Sequence, residues 1–457
     1  MSDPLAFVGS QIDRFHAELD ELLRIPSVSA KSEHDADTRR AAEWLSARLA
    51  AAGLESRLVE TEWHPIVLSE WRGAANAPTV LIYGHYDVQP PEPLDEWDSP
   101  PFEPTVRDGR LYGRGTADDK GQLYMHVKAL EAHLATRGSL PVNVIVVAEG
   151  EEEVGSPSFG TFLDTHRERL DCDVVVISDT GMFAEGVPSL GFSLRGLAYF
   201  EIHVTGAKSD LHSGEYGGAV PNPGNALAAI IASLHGPDGA VAVPGFYDDV
   251  LDWDDETRAE IRGLPHDDRA YQSELGVAAL TGEKGYGTLE RLWIRPTCDV
   301  NGILCGYTGE GAKTVLPARA MAKVSFRLVP DQTPAKVRAL FEKHVASVAP
   351  KGVRVEVKEL HGGRPWRAKI EGPAFEAAAR ALEETFGARP VLMGGGGSIP
   401  IVPEMEERLG ATALLVGFSL PGSNLHAPNE WLTYSYFRKG VETLVRLYDN
   451  LAGVAAR

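Results

Sequence analysis

The sequence predicts an α/β protein in which a doubly wound, mostly parallel-sheet domain is interrupted by an inserted α+β domain of ferredoxin-like build. Three observations point there. The first 190 residues alternate helical and strand periodicities. Their strand-like runs are continuously apolar, as expected of strands buried on both faces. From about Arg195 the strands become alternating, and after Glu371 the first texture returns. A chain of 457 residues also exceeds the size at which one hydrophobic core keeps growing. The expected division is a discontinuous main domain over 1–194 and 370–457, with an inserted domain over 195–369.

In chain order, residues 12–23 and 41–52 carry apolar side chains at helical spacing, and 79–83, 142–147 and 173–177 are β-branched runs bounded by turns. Residues 121–133 read as a helix following an acidic loop. In the inserted part, 199–204 and 320–329 alternate as half-buried strands do, 223–234 and 334–348 are helical, and 353–359 is strand-like. Residues 236–311 are rich in Gly, Pro and acids and read as a long excursion. A helix over 374–386, a strand over 412–416 and a helix over 434–451 complete the main domain. The only low-complexity piece is Gly394–Gly397.

Composition narrows the function classes. A formal charge of −21 opposes nucleic acids and anionic membrane surfaces, both of which repel a polyanionic protein. The opening MSDPLAFVGS lacks the basic start and apolar core of a signal peptide, and no apolar run approaches the ~18 residues of a membrane span. Three scattered cysteines, Cys172, Cys298 and Cys305, suit a reducing compartment, so a cytoplasmic location is expected. Cys298 and Cys305 lack the second Cys/His pair a zinc site would need.

Chemistry concentrates where strands end. Gly84-His85-Tyr86-Asp87, Thr116-Ala117-Asp118-Asp119-Lys120, Glu149-Gly150-Glu151-Glu152-Glu153 and Ser178-Asp179 each close or follow an apolar run, the position at which open α/β sheets bind ligands. Taken singly, each has an ordinary explanation. His85 and Asp87 suit a surface hydrogen-bonded pair, Asp118 or Asp119 a helix cap, and His426 a loop histidine. Three adjacent glutamates after a buried strand are harder to dismiss, because they repel unless protons or cations intervene. Four such coincidences together read as one metal centre. Its oxygen-rich, nitrogen-containing ligands suit zinc, manganese or cobalt, and a pair of ions needs a bridging carboxylate.

These motifs, in this order and over nearly the whole chain, resemble metallopeptidase family 20, and within it the carnosinase-like cytosolic dipeptidases. The resemblance implies two divalent ions, Zn2+ foremost with Mn2+ or Co2+ as alternatives. His85 and Asp179 would hold one, Glu153 and His426 the other, with Asp118 bridging. It makes Glu152 the general base and Asp87 the carboxylate orienting His85, and it implies a cis peptide between Asp118 and Asp119. His212, in Asp210-Leu-His-Ser-Gly214, matches a histidine that reaches the neighbouring subunit's site, which implies a homodimer through the inserted domain. Arg327 matches an arginine that grips a substrate carboxylate. Thr314, His361, Gly397 and Ser398 fall where relatives contact the substrate's ends. Gly394 and Gly395 depart from the charged residue many relatives carry there.

The expected activity is hydrolysis of dipeptides or short peptides with a free carboxyl terminus. N-acyl amino-acid deacylation, desuccinylation or carbamoyl cleavage would use the same site. A catalytically silent metal-binding module is the reading of another class. The acidic cluster from Asp248 to Glu256 lacks the spacing of a calcium loop and reads as a solvated face, while His126 and His133 read as packing or surface residues.

Overall fold

The computed structural model describes residues 3–397 and 399–456. The chain divides into two units: Met1–Phe192, Ala368–Met393 and Ile401–Arg457 form the first, and Ser193–Arg367 with Gly394–Pro400 the second. The 394–400 segment, which the sequence places with the main domain, groups with the second unit. Backbone and side-chain bonds explain this: Arg195 donates from its amide to Gly395 O (3.1 Å) and from Nε to Gly396 O (3.1 Å).

The first unit is built on a sheet whose order is Glu55–Val59, Ile66–Trp71, Asn143–Glu149, Thr79–His85, Val174–Ile177, Thr412–Leu415 and Ser189–Leu194. The four strands from Asn143–Glu149 to Thr412–Leu415 run parallel. Antiparallel strands flank them on either side. Val80, Ile82, Val144, Val146, Val174 and Val176 join one core cluster with the helices Pro4–Leu23, Asp35–Ala52, Lys120–Arg137, Pro373–Phe386 and Tyr434–Leu451. Tyr83 points to the opposite face, as alternation requires, and meets Phe159 of the Phe159–His166 helix edge to face at 5.3 Å. Burial on both faces is the reason the central strands read as uninterrupted apolar runs.

The hairpin Glu55–Val59 and Ile66–Trp71 went unforeseen because Arg57, Glu70 and the His64-Pro65 turn dilute its apolar pattern. The first helix begins at Pro4, earlier than periodicity suggests. Proline is preformed for a first helical position, and the Asp3 side chain caps the Leu5 amide. The Lys120–Arg137 helix is buried along its first eleven residues. Its Lys120 donates to the carbonyls of Ile25 (2.6 Å) and Leu22 (3.3 Å), satisfying the end of the Pro4–Leu23 helix. His126 and His133 are buried packing residues beside Tyr448.

The second unit is a four-stranded antiparallel sheet in the order Thr297–Cys305, Arg319–Leu328, Gly196–Thr205, Arg354–Gly363. Alternate residues Ala198, Phe200, Ile202 and Val204 are buried under the helices Pro223–Ala232 and Pro334–Val348. Asn222 and Thr333 cap those helices, each followed by proline. The excursion therefore ends sooner than the sequence suggests: Thr297–Cys305 is an edge strand. Its exposed Asp299, Asn301, Ile303 and Leu304 hide the alternation that marks buried strands. The excursion itself folds as short helices, Asp255–Gly263, Asp268–Leu275 and Thr288–Trp293, pinned where Arg258 and Arg262 meet buried Glu290.

Candidate metal centre

Strand register sets the site. His85 ends its strand opposite Glu149, and Tyr83 pairs with Ile177, so Asp179 follows at the same edge of the first unit's sheet. Asp118 arrives on the loop before the Lys120–Arg137 helix, where the Asp118–Asp119 peptide is cis. Glu152 and Glu153 lie in a single helical turn just after the Asn143–Glu149 strand. His426 comes from a late loop with a left-handed φ of +61°, and its side chain is 56% exposed.

Two ligand sets result, His85–Asp118–Asp179 and Asp118–Glu153–His426, each with donor atoms within 4.8 Å of one another. Asp118 belongs to both. Its Oδ1 lies 3.0 Å from His85 Nε2, and its Oδ2 lies 2.9 Å from His426 Nε2. Asp179 Oδ2 is 3.9 Å from His85 Nε2, and Glu153 Oε2 is 3.4 Å from His426 Nε2.

The acidic run separates by partner. Glu149 accepts from Tyr83 Oη (2.6 Å) and Ser156 Oγ (2.9 Å). Glu151 accepts from Thr61 Oγ1 and the His64 amide (both 2.9 Å) and from the Ser158 amide and hydroxyl (3.0 and 3.1 Å). Both are therefore occupied as anchors of the turn. Glu153 accepts from the Gln89 amide (3.1 Å) and its Nε2 (2.8 Å). Asp87 reaches two ways: its backbone carbonyl lies 3.1 Å from His85 Nδ1 and its Oδ1 3.3 Å from the same nitrogen. Its other oxygen accepts from Ser29 Oγ (2.6 Å) and the Glu153 amide (3.1 Å). Asp119 stands at the helix N-cap without capping it. Its Oδ2 accepts from the His85 amide (3.3 Å), and its Oδ1 is buried without a partner.

Electrostatics follow from crowding. Burial, reinforced by Asp179, Glu153 and Asp87 against the opposing His85, pushes Glu152 up to about 8. Burial and Asp118 push Glu153 up to about 9. Asp179 rises to about 6 by burial and Asp118. Asp118 alone among these acids is held low: burial opposes this, but hydrogen bonds from His426 and His85 prevail. His85 is buried, which disfavours its charge, yet Asp118 and Asp87 raise it well above its ordinary value.

The remaining expected residues lie in the second unit. His212 ends a two-residue strand paired with Val315, beside Thr314, whose carbonyl accepts from the Ser213 amide (3.1 Å). His212 Nδ1 accepts from the Gly214 amide at 3.0 Å. Arg327 is half-buried on the Arg319–Leu328 strand, paired with Thr297 and Leu197. Exposed His361 follows a bulge on Arg354–Gly363 and meets the Tyr199 ring at 5.2 Å. Gly397 is exposed, and Ser398 lies outside the described residues. A Cβ at Gly395 would come within 2.4 Å of Leu194 Cδ2, so a larger residue there displaces the Leu194 side chain.

Sequence reasoning missed the supporting residues Ser29, Gln89 and Glu430. Glu430 is fully buried beside Arg114. The signal was thin: one acid four residues beyond His426, entering the apolar run Trp431-Leu432.

Two histidines among four inward-facing carboxylates fit divalent cations. The donor set is mainly oxygen with one imidazole per triad, and the buried acids need positive charge between them. Sheet and site define a class: an open α/β protein with a candidate two-metal centre at the carboxyl edge of its parallel strands. Comparison with known proteins gives the particular family. The family model described as Peptidase family M20/M25/M40 matches residues 81–450, and this chain belongs to that family. It is 31% identical over 464 residues, 98% of each chain, to the Cys-Gly metallodipeptidase dug1 of Schizosaccharomyces pombe. It is 32% identical over 393 residues to the Beta-Ala-His dipeptidase of Rattus norvegicus, covering 85% of this chain and 80% of that one. The solved M20 family metallo-carboxypeptidase Sso-CP2 from Sulfolobus solfataricus superposes with a TM-score of 0.86 at 33% identity, covering 96% and 99% of the two chains. No helix among the described residues is long and apolar enough to cross a membrane.

Proposed function

We propose that this protein is a two-metal dipeptidase acting on dipeptides or short peptides with a free carboxyl terminus. One observation carries the reading: Asp118 presents its two oxygens to His85 and His426 at 3.0 and 2.9 Å and so belongs to both triads, with Glu152 in the same acidic cluster. His85 and Asp179 would hold one ion, Glu153 and His426 the other, with Zn2+ foremost and Mn2+ or Co2+ as alternatives. When bound, the ions polarise the scissile carbonyl and acidify a water. Glu152 accepts the proton of the attacking water and passes it to the leaving amine. Its acidity increases once positive charge occupies the triads, which readies it as a base at neutral pH. Asp87 fixes the His85 ring through Nδ1, leaving Nε2 for the metal.

The second unit takes the lid and dimerisation role in this reading, and His212 serves the partner subunit of a homodimer. Because Nδ1 accepts from Gly214, the neutral ring carries its proton on Nε2, the form that can donate to a tetrahedral oxyanion. Arg327 grips the substrate carboxylate, a task suited to a planar guanidinium. Thr314, His361, Gly397 and Ser398 contact the substrate's ends. The three cysteines, all free, accord with a cytoplasmic location.

The test is amino-acid release from dipeptide and N-acyl amino-acid panels by wild type and Glu152→Ala, each loaded with Zn2+ or Mn2+. Dipeptide turnover lost in Glu152→Ala with metal retained is the expected result. Cleavage of N-acyl compounds alone would overturn the substrate assignment, and no turnover on either panel would overturn the enzyme assignment.

A further inference from the structure

Glu430 has no part in the ligand set, yet its carboxylate accepts four hydrogen bonds, all from the loop that delivers Asp118. Oε1 accepts from the amides of Ala117 (2.8 Å) and Asp118 (3.1 Å). Oε2 accepts from the Gly115 amide (3.0 Å) and Arg114 Nη1 (2.8 Å), and the Glu430 carbonyl accepts from the Gly113 amide (3.0 Å). Both side chains of the Arg114–Glu430 pair are buried. One carboxylate thus wraps the loop that delivers Asp118.

The same residue closes the loop that delivers His426. That loop is pinched where Trp431 donates to Ser423 O (3.1 Å), and it carries three non-glycine residues in left-handed conformation, Asn424, His426 and Asn429, at φ +56°, +61° and +60°. Such residues persist only where surrounding bonds over-determine them. By contrast, His85 ends a sheet strand and Asp179 follows another closely, so backbone ladders place them without Glu430.

We propose that Glu430 is a positioning residue that clips the Asp118 loop to the His426 loop, so that the Asp118–Glu153–His426 triad, which draws two donors from the clipped loops, depends on it more than the His85–Asp118–Asp179 triad, which draws one. Resting on the two-ion reading above, it assigns the two sites unequal dependence on one buried carboxylate. Glutamine cannot replace it, because a carboxamide offers one accepting oxygen where two are used and turns an N–H toward amide donors. It would also strip a buried arginine of its countercharge. Loss of such an outer partner lowers metal affinity by about 10–100-fold.

The experiment is calorimetric titration of Mn2+ into chelator-treated wild type, Glu430→Gln and His426→Ala, with circular dichroism reporting the fold. The step lost in His426→Ala marks the second triad. In Glu430→Gln that step should weaken by about 10–100-fold and the other step by less, and excess Mn2+ should restore turnover at unchanged KM. Equal weakening of both steps, or no change, would overturn the proposal. A wild type binding fewer than two ions would overturn the two-ion reading itself. If Glu430→Gln does not fold, Glu430→Asp keeps the charge but withdraws it by one methylene, and the same unequal loss is expected. If neither folds, hydrogen exchange in metal-free wild type decides: protected amides over 113–119 support the clip, and free-loop exchange rates sink it.

Discussion

Replacing Glu152 by glutamine should stabilise the metal-free protein while removing its activity. Glu152 is pushed from an ordinary 4.5 to about 8 by burial and by Asp179, Glu153 and Asp87. The folded chain therefore holds this proton more tightly than the unfolded one, and stability falls as pH rises from about 4.5 to about 8. At pH 7 the group costs the metal-free native state about 3 kcal/mol, from ~2.5 pH units at 1.36 kcal/mol each. Glutamine removes that cost, which in a domain of this size corresponds to a rise in Tm of about 5 °C. Thermal unfolding of chelated wild type and Glu152→Gln between pH 5 and 8 measures it directly. The gap between the curves should open with pH and level off near pH 8, while metal-loaded Glu152→Gln loses about 10²–10⁴ in kcat. A variant no more stable than wild type across that range would refute the reasoning, for it would mean that Glu152 is not a strained buried acid.

Glu151→Gln should do the opposite, losing about 2–4 kcal/mol because the carboxylate accepts from Thr61, His64 and Ser158, with metal content retained by elemental analysis. Glu18, pushed up by burial but held down near 2 by Lys128, Tyr124 and Arg14, contributes stability above about pH 4.5 that is lost as pH falls toward 2. Glu18→Gln should flatten that acid limb and cost about 1–3 kcal/mol at pH 7, since buried Lys128 loses one of its two carboxylate partners and keeps Glu131 at 2.6 Å, as read by denaturant unfolding. Gly121→Ala should displace the Asp118 loop, since its Cβ would fall 1.9 Å from the Thr116 carbonyl oxygen. The expected loss is about 3 kcal/mol of stability together with weaker Mn2+ binding by titration.

The parallel core was legible because burial on both faces leaves an unbroken apolar record, as in Val144–Val147 and Val174–Ile177. Edge elements were not: Thr297–Cys305 and Glu55–Val59 each leave one side unpaired, and their residues mix accordingly. The acids and histidines of the centre were visible because they recur at strand ends. The division of labour within Glu149–Glu153 was not, since it depends on partners such as Thr61, Ser158 and Gln89 that are distant or unremarkable in sequence. Glu430 was invisible for the same reason: its partners lie more than 300 residues away.

The left-handed loop that carries His426 also gives the centre a direction in time. His426 and Glu430 are synthesised about 250 residues after Asp179, the last donor of the His85–Asp118–Asp179 triad. At 5–20 residues per second that delay is about 10–50 s. A nascent chain therefore possesses the donors of one triad long before those of the other. Any product cut short before His426 keeps the donors of the His85–Asp118–Asp179 triad alone.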